Sequence, residues 1–239
     1  MNIIEMHYEL DVRLNDIQSL NYNNLQIAEK DVYFNRGQIQ LINQKYSGNS
    51  DAVSIKGFEA SQKRIEDLKT LLVKGYDNPL IPTLVDSSKY IYRYDLNNLN
   101  KKYLYFISSL ITINKGVCSL NVPLMITEHD DIYTSLLDTN YSPSFEWMYV
   151  PANFSEQYIY VYTNNEFNLG SLYLDYLRYP NKMYYGNYND IDGNLLEQSD
   201  CELPEYLHYE LLDIVELLIK MDSQNPTVNS TVMKNQMNE

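Results

Sequence analysis

The side chains of this sequence best suited to chemistry are three histidines, two cysteines and one Asx-rich turn. His7, His129 and His208 are each solitary, and only His129 adjoins carboxylates, in His129-Asp130-Asp131. A metal centre needs at least three converging ligands. The pair of aspartates is better read as favouring the positive end of a helix dipole, with His129 facing water. His208 follows Leu207 on a predicted C-terminal helix, a position that suits a half-buried ring bonded to a backbone carbonyl. Asn189-Asp190-Ile191-Asp192-Gly193 has the oxygen-rich, glycine-turned character of a calcium loop, but with Gly193 in the glycine position the first ligand is Tyr188 and the closing residue Ser199. The register fails, and an Asx turn accounts for the segment. Cys118 and Cys201 match no metal spacing and make no disulfide framework, so both are expected as buried thiols, Cys118 inside a strand. No nucleophile elbow, phosphate-binding glycine loop or paired metal motif is present. The expectation is a protein with no catalytic residue, no metal and no cofactor.

The composition points the same way. The chain has 239 residues, enough for a full core without a staple. Its formal net charge of −14 disfavours attraction to nucleic-acid phosphates or anionic lipid. The first five residues turn acidic, so no secretory leader is predicted. No apolar run approaches the roughly 18 to 20 residues that span a bilayer. The 24 tyrosines outnumber the 6 phenylalanines and single tryptophan. Tyrosine suits surfaces that are wet in one state and covered in another, and the same bias also arises from an AT-rich coding genome.

Periodicity divides the chain into a helical segment at 1–77, a strand-rich body at 78–203, a C-terminal helix at 204–222 and a disordered tail at 223–239. A short helix is expected at 4–14. Leu25, Ala28, Val32, Asn35, Ile39, Ile42 and Tyr46 alternate steps of three and four and form one helical stripe. Asn35 within it either sets register between packed helices or faces solvent at the edge of the bundle. Phe58, Ile65, Leu68 and Leu72 predict a further helix, with Gly75 as its C-terminal cap. Strands are predicted at 89–94, 103–113, 117–126 and 145–150. Thr127-Glu-His-Asp130 has the spacing of a capping box for a short helix to Leu137. Tyr158, Tyr160 and Tyr162 alternate with Ile159 and Val161, and Leu172, Leu174 and Tyr176 alternate with Tyr173 and Asp175, which predicts a hairpin turning at 163–166. A polar loop to 202, mobile or at an interface, precedes a helix with Pro204 in its first position and Leu207, Leu211, Ile214, Leu218 and Met221 on its core face. The fold class is α+β: an N-terminal helical bundle or hairpin, an antiparallel sandwich-like body and a C-terminal amphipathic helix.

This order resembles that of the ring or tail-adaptor proteins of crAss-like short-tailed phages. The resemblance is carried by Gly37-Gln-Ile-Gln-Leu-Ile42, Leu80-Ile-Pro-Thr-Leu84, Tyr103-Leu-Tyr-Phe-Ile107, Leu172 to Pro180 and Leu203 to Val215. It implies a virion structural protein at the head–tail junction, in a twelvefold homo-oligomeric ring between the portal and other tail or ring proteins. DNA would pass through that ring without specific binding, with no membrane involved. A closed heterologous ring needs two different complementary faces. The candidates are the helical stripe (Val32, Asn35, Ile39, Ile42, Tyr46) and the tyrosine-rich strands (Tyr158, Tyr160, Tyr162, Tyr173, Tyr176). Two rival readings are a receptor- or glycan-binding tail protein, with exposed tyrosines of the predicted Tyr158 to Tyr179 hairpin stacked on sugar rings, and a hydrolase with an unrecognised carboxylate pair drawn from Asp130, Asp131, Asp190 and Asp192.

Overall fold

The computed structural model describes residues 1–17, 25–47, 63, 65–86, 90–138, 140–189 and 193–222. The predicted tail at 223–239, Phe58 and the centre of the Asx-rich turn lie outside them. The chain forms two compact units, Met1–Leu71 with Pro180–Glu239, and Leu72–Tyr179. The architecture is the mixed α+β one expected, with N-terminal helices, an antiparallel strand-rich body and a C-terminal helix. The segment after Pro180 belongs with the helices, whereas periodicity alone carries the strand-rich body on to 203.

In the helical unit, α1 (Ile3–Ile17) buries Ile3, Met6, His7, Leu10 and Leu14, a stripe at helical spacing. The longest helix, α2 (Ile27–Ser47), buries Lys30, Asp31, Phe34, Gly37, Gln38, Leu41 and Ile42. Its core face is therefore rotated from the predicted stripe, and Val32 is 66% exposed. Three of the buried positions are polar and one is glycine, so a count of apolar residues follows the wrong side of the helix. Gly37 is the contact point with the C-terminal helix α4 (His208–Asp222): a β-carbon there would stand 2.8 Å from Val215 Cγ2. The absent side chain lets the two helices approach. Pro204 precedes a 3-10 turn (Glu205–Leu207) instead of opening the helix, and α4 buries His208, Leu211, Leu212, Val215, Leu218 and Ile219. The polar segment carries a two-stranded hairpin, β10 (Tyr188–Asn189) with β11 (Leu195–Leu196).

The second unit holds two sheets among the described residues. One has the order β1-β9-β4-β5, built from Leu72–Val73, Asn168–Arg178, Tyr103–Lys115 and Cys118–Val122. The other has the order β2-β3-β8-β7-β6, built from Thr83–Asp86, Ile91–Asp95, Tyr158–Tyr162, Pro151–Ser155 and Met125–Ile126. Residues of both sheets form one apolar core, including Tyr94, Ile111, Ile113, Ile159, Val161, Leu172, Leu174 and Tyr176. Tyr94 ties the sheets together: its ring is fully buried and its hydroxyl donates to the Gly170 carbonyl at 2.8 Å. Burial in that apolar setting raises the pKa of this phenol far above the ordinary range.

Several local expectations are corrected. The strands around 163–166 are not a hairpin, because β8 pairs with β3 and β7, and β9 pairs with β1 and β4. The turn itself exists, with Asn164 and Asn165 both at positive φ and Glu166 N–H donating to Thr163 O at 2.9 Å. Phe167 then buries in the shared core and carries the chain from one sheet to the other. The capping box is not formed: Asp131 is the N-cap of α3 (Ile132–Leu137) and makes no side-chain cap bond. The strand expected at 145–150 is a tight turn bridged by Ser144 and Tyr149, with Met148 at φ 52°, and β7 starts at Pro151. Gly75 opens a 3-10 turn after β1 instead of capping a helix. Cys118 is exposed at the start of β5, and Cys201 is half-buried.

Candidate assembly surfaces

The most organised polar cluster lies in the helical unit. Asp31, 1% exposed, bonds His7 Nε2 at 2.8 Å through Oδ1, while its Oδ2 accepts from the Tyr185 N–H at 2.9 Å and the Tyr188 hydroxyl at 2.5 Å. His7 stacks on Phe34 at 5.0 Å. Burial pushes the Tyr188 hydroxyl above its ordinary pKa, and the bond to Asp31 pushes it the same way. A histidine and carboxylate used in catalysis must reach a reacting group, and here both are sealed and the carboxylate is engaged on both oxygens. The cluster holds α1, α2 and the segment around β10 together.

One turn further along α2, Asn35 performs a related task. Its Nδ2 donates to the Met183 carbonyl at 2.9 Å and to Asp31 O, and its Oδ1 accepts from the Met183 N–H at 2.8 Å. Neither helix register nor solvent exposure describes this residue. It clamps the polar segment to the helix. Asn35→Leu leaves both polar groups of buried Met183 without these partners, which costs about 1 to 3 kcal/mol. Thermal melting is expected to show that loss, and oligomer size by native mass spectrometry is expected to stay the same.

The other histidines are also structural. His208 Nε2 donates to the Leu203 carbonyl at 3.1 Å, as expected, and burial holds its pKa below the ordinary histidine value. His129 is exposed but bonded through both ring nitrogens to β7, at Phe154 O and Asn153 Nδ2, where the sequence reading has it facing water. Burial pushes the Cys201 thiol up to about 11, which leaves it protonated and inert at neutral pH. No group of three or more His, Cys, Asp or Glu side chains able to hold a metal ion occurs among the described residues.

The predicted contact residues separate into three groups. Val32 and Tyr46 are exposed on α2, at 66% and 42%. Ile39, Tyr158, Tyr160 and Tyr173 are half-buried, and the tyrosines are already engaged. Tyr158 meets Tyr160 edge-on and lies under the Arg93 guanidinium at 4.8 Å, while Tyr173 stacks on Tyr76 at 5.1 Å. Ile42, Tyr162 and Tyr176 are core residues, with the Tyr176 hydroxyl donating to Lys101 O at 2.9 Å and the Tyr162 hydroxyl directed at Asn153 Oδ1. A side chain buried inside one copy is not open to another. The sequence reading passed over other exposed apolar positions. Ile4, Tyr8 and Val12 stand four residues apart on the outer face of α1, and Ile81 just before β2 joins Leu84 and Val85 within it. The spacing of the α1 set is legible, but helix packing accounts for that segment without it.

These features define a mixed α+β protein whose buried polar clusters hold its own fold together and whose outer faces carry exposed aliphatic and aromatic groups. The chain belongs to the phage tail ring protein 3/4 family of crAss-like phages, whose model matches residues 1–231. It is thus a phage tail ring structural protein and a component of the virion. No curated protein matches it. No helix among the described residues is long and apolar enough to cross a membrane.

Proposed function

We propose that copies of this chain close into a homo-oligomeric ring, twelvefold, which joins the portal to the tail and surrounds the DNA channel, and that the protein acts by assembly without catalysing a reaction. The family match across nearly the full sequence carries this reading. Exposed apolar residues on α1, on α2 and at strand edges supply contact area of the kind association requires. The net charge of −14 suits a channel that repels phosphate, so that DNA slides without being held. The glycan-binding alternative loses support, because the tyrosines it needs are buried or engaged with Arg93, Tyr76, Lys102 and one another, Tyr179 being exposed but lying under the Lys102 ammonium.

The test is the mass and symmetry of the assembled species, by native mass spectrometry of the purified chain and electron microscopy of isolated tails. A closed ring of twelve copies next to the portal is expected. A monomer or trimer at that position in intact tails would defeat the reading.

A further inference from the structure

The two sheets of the strand-rich unit end in four edge strands, which differ in how far they are protected. An open edge presents a row of unpaired N–H and C=O groups, which proteins blunt by shortness, proline, charge or irregular register. Strand β1 has two residues and is followed by Lys74. Strand β6 has two residues and lies just after Pro123. Strand β2 is guarded at its ends, by Pro82 before it and by a register irregularity between Leu84 and Asp86, which leaves only the short regular run of Thr83 and Leu84 open between them. Strand β5 has none of these devices within its length, and Pro123 closes only its far end. It runs Cys118-Ser-Leu-Asn-Val122 without charge or proline, and its register with β4 is unbroken through five residue pairs. Its outer side has no partner strand among the described residues. Its first four residues are exposed, as is Val117 just before it.

Topology places the four edges on two flanks. Only Pro123 and Leu124 separate β5 from β6, so these edges of the two sheets lie on one side of the unit. The opposite ends of the same sheets are β1 and β2. A ring built from a repeated heterologous contact needs this arrangement, a donor flank facing a different acceptor flank. The β1–β2 flank carries exposed aliphatic residues at Ile81 (76%), Leu84 (48%) and Val85 (48%). Leu120 extends the core-facing row of β5, opposite buried Ile113, out to the open edge.

We propose that the open edge of β5 is one half of the ring interface and takes an extended segment from the β1–β2 flank of the next copy of this chain, the segment that carries Ile81, Leu84 and Val85. Backbone hydrogen bonds along the edge supply the attachment, and Leu120 against the aliphatic row supplies apolar contact and register. The edge left unprotected in one copy is then covered in the assembly. This inference rests on the ring reading above.

Two experiments on the full chain test it. In a Cys201→Ser background Cys118 is the one native thiol, and Leu84→Cys adds its expected partner on the neighbour. A short bis-maleimide should convert assembled rings into a covalent ladder of multimers, and Cys118→Ser should abolish the ladder. Leu120→Lys places a charge on the edge and is expected to weaken ring assembly roughly tenfold or more, with the circular dichroism spectrum and melting temperature of the monomer unchanged. Rings that form normally with Leu120→Lys overturn the proposal and leave the ring reading intact. So do rings that give no cross-link dependent on Cys118, or cross-links from Cys118 only to a different tail protein. If no ring forms in any preparation, including intact tails, the ring reading falls first and this inference with it.

Discussion

Asp31→Ala is expected to lower the stability of the helical unit by about 3 to 5 kcal/mol, the range for removing one partner of a buried charged network. For a chain of this size that is a fall in melting temperature of roughly 10 °C. The size follows from what Asp31 holds: His7, the Tyr185 amide and the Tyr188 hydroxyl all lose their acceptor, and buried His7 has almost no solvent to replace it, while Tyr185 and Tyr188 are half-buried. The loss should also be directional. Hydrogen exchange at Tyr185 is expected to accelerate first, because the polar segment is fastened to α2 through Asp31 and Asn35. Amides in β4 and β9, in the other unit, should keep their protection. Asp31→Asn keeps the shape but turns one acceptor oxygen into a donor, so it is expected to recover only part of the loss. A melting temperature unchanged in Asp31→Ala would show that the cluster contributes nothing beyond its apolar neighbours.

The same cluster explains where the sequence was legible. Apolar periodicity located α1, α2 and α4 because burial of one stripe is the main energetic requirement of a packed helix. It misplaced the face of α2, since Lys30, Asp31, Gly37 and Gln38 read as an outer surface. Their burial depends on partners distant in sequence: Asp11 for Lys30 at 2.6 Å, and His7, Tyr185 and Tyr188 for Asp31. Pairing of this kind leaves no periodic trace. The strands of the second unit were also legible, and the alternation of Leu172, Leu174 and Tyr176 gave the buried face of β9 correctly. Their partners were not. Asn164-Asn165 has the chemistry of a hairpin turn, yet a turn constrains only the local chain direction, and the burial of Phe167 decides which sheet the next strand joins. The candidate surface suffered most. A tyrosine count cannot separate Tyr162 and Tyr176, which close the core, from Tyr158 and Tyr160 beside them.

The second large effect is expected at Gly75, a glycine that the helical pattern before it marks as a cap but that opens a 3-10 turn. Its surroundings impose a stricter demand. A β-carbon at this position would stand 2.2 Å from the Leu174 nitrogen and 2.6 Å from the Tyr173 carbonyl carbon, both backbone atoms of β9. Rotamer changes offer no relief from backbone, so Gly75→Ala must push the 3-10 turn off the strand. That movement breaks the bond from the Gly75 N–H to Asp175 Oδ1 at 2.8 Å and strains the short pairing of Leu72 and Val73 with Leu177 and Tyr176. A loss of about 3 kcal/mol or more is expected, at or beyond the upper end for overpacked sites. Gly116→Ala supplies the contrast. Gly116 has φ 61° and nothing within 4 Å of the added carbon, so only the left-handed backbone opposes the change, at about 1 to 2 kcal/mol. Thermal melts of the two variants side by side separate close approach from backbone strain. If Gly75→Ala proved no worse than Gly116→Ala, the turn would have room to move, and β1 with its following turn would be a loosely attached edge of the sheet.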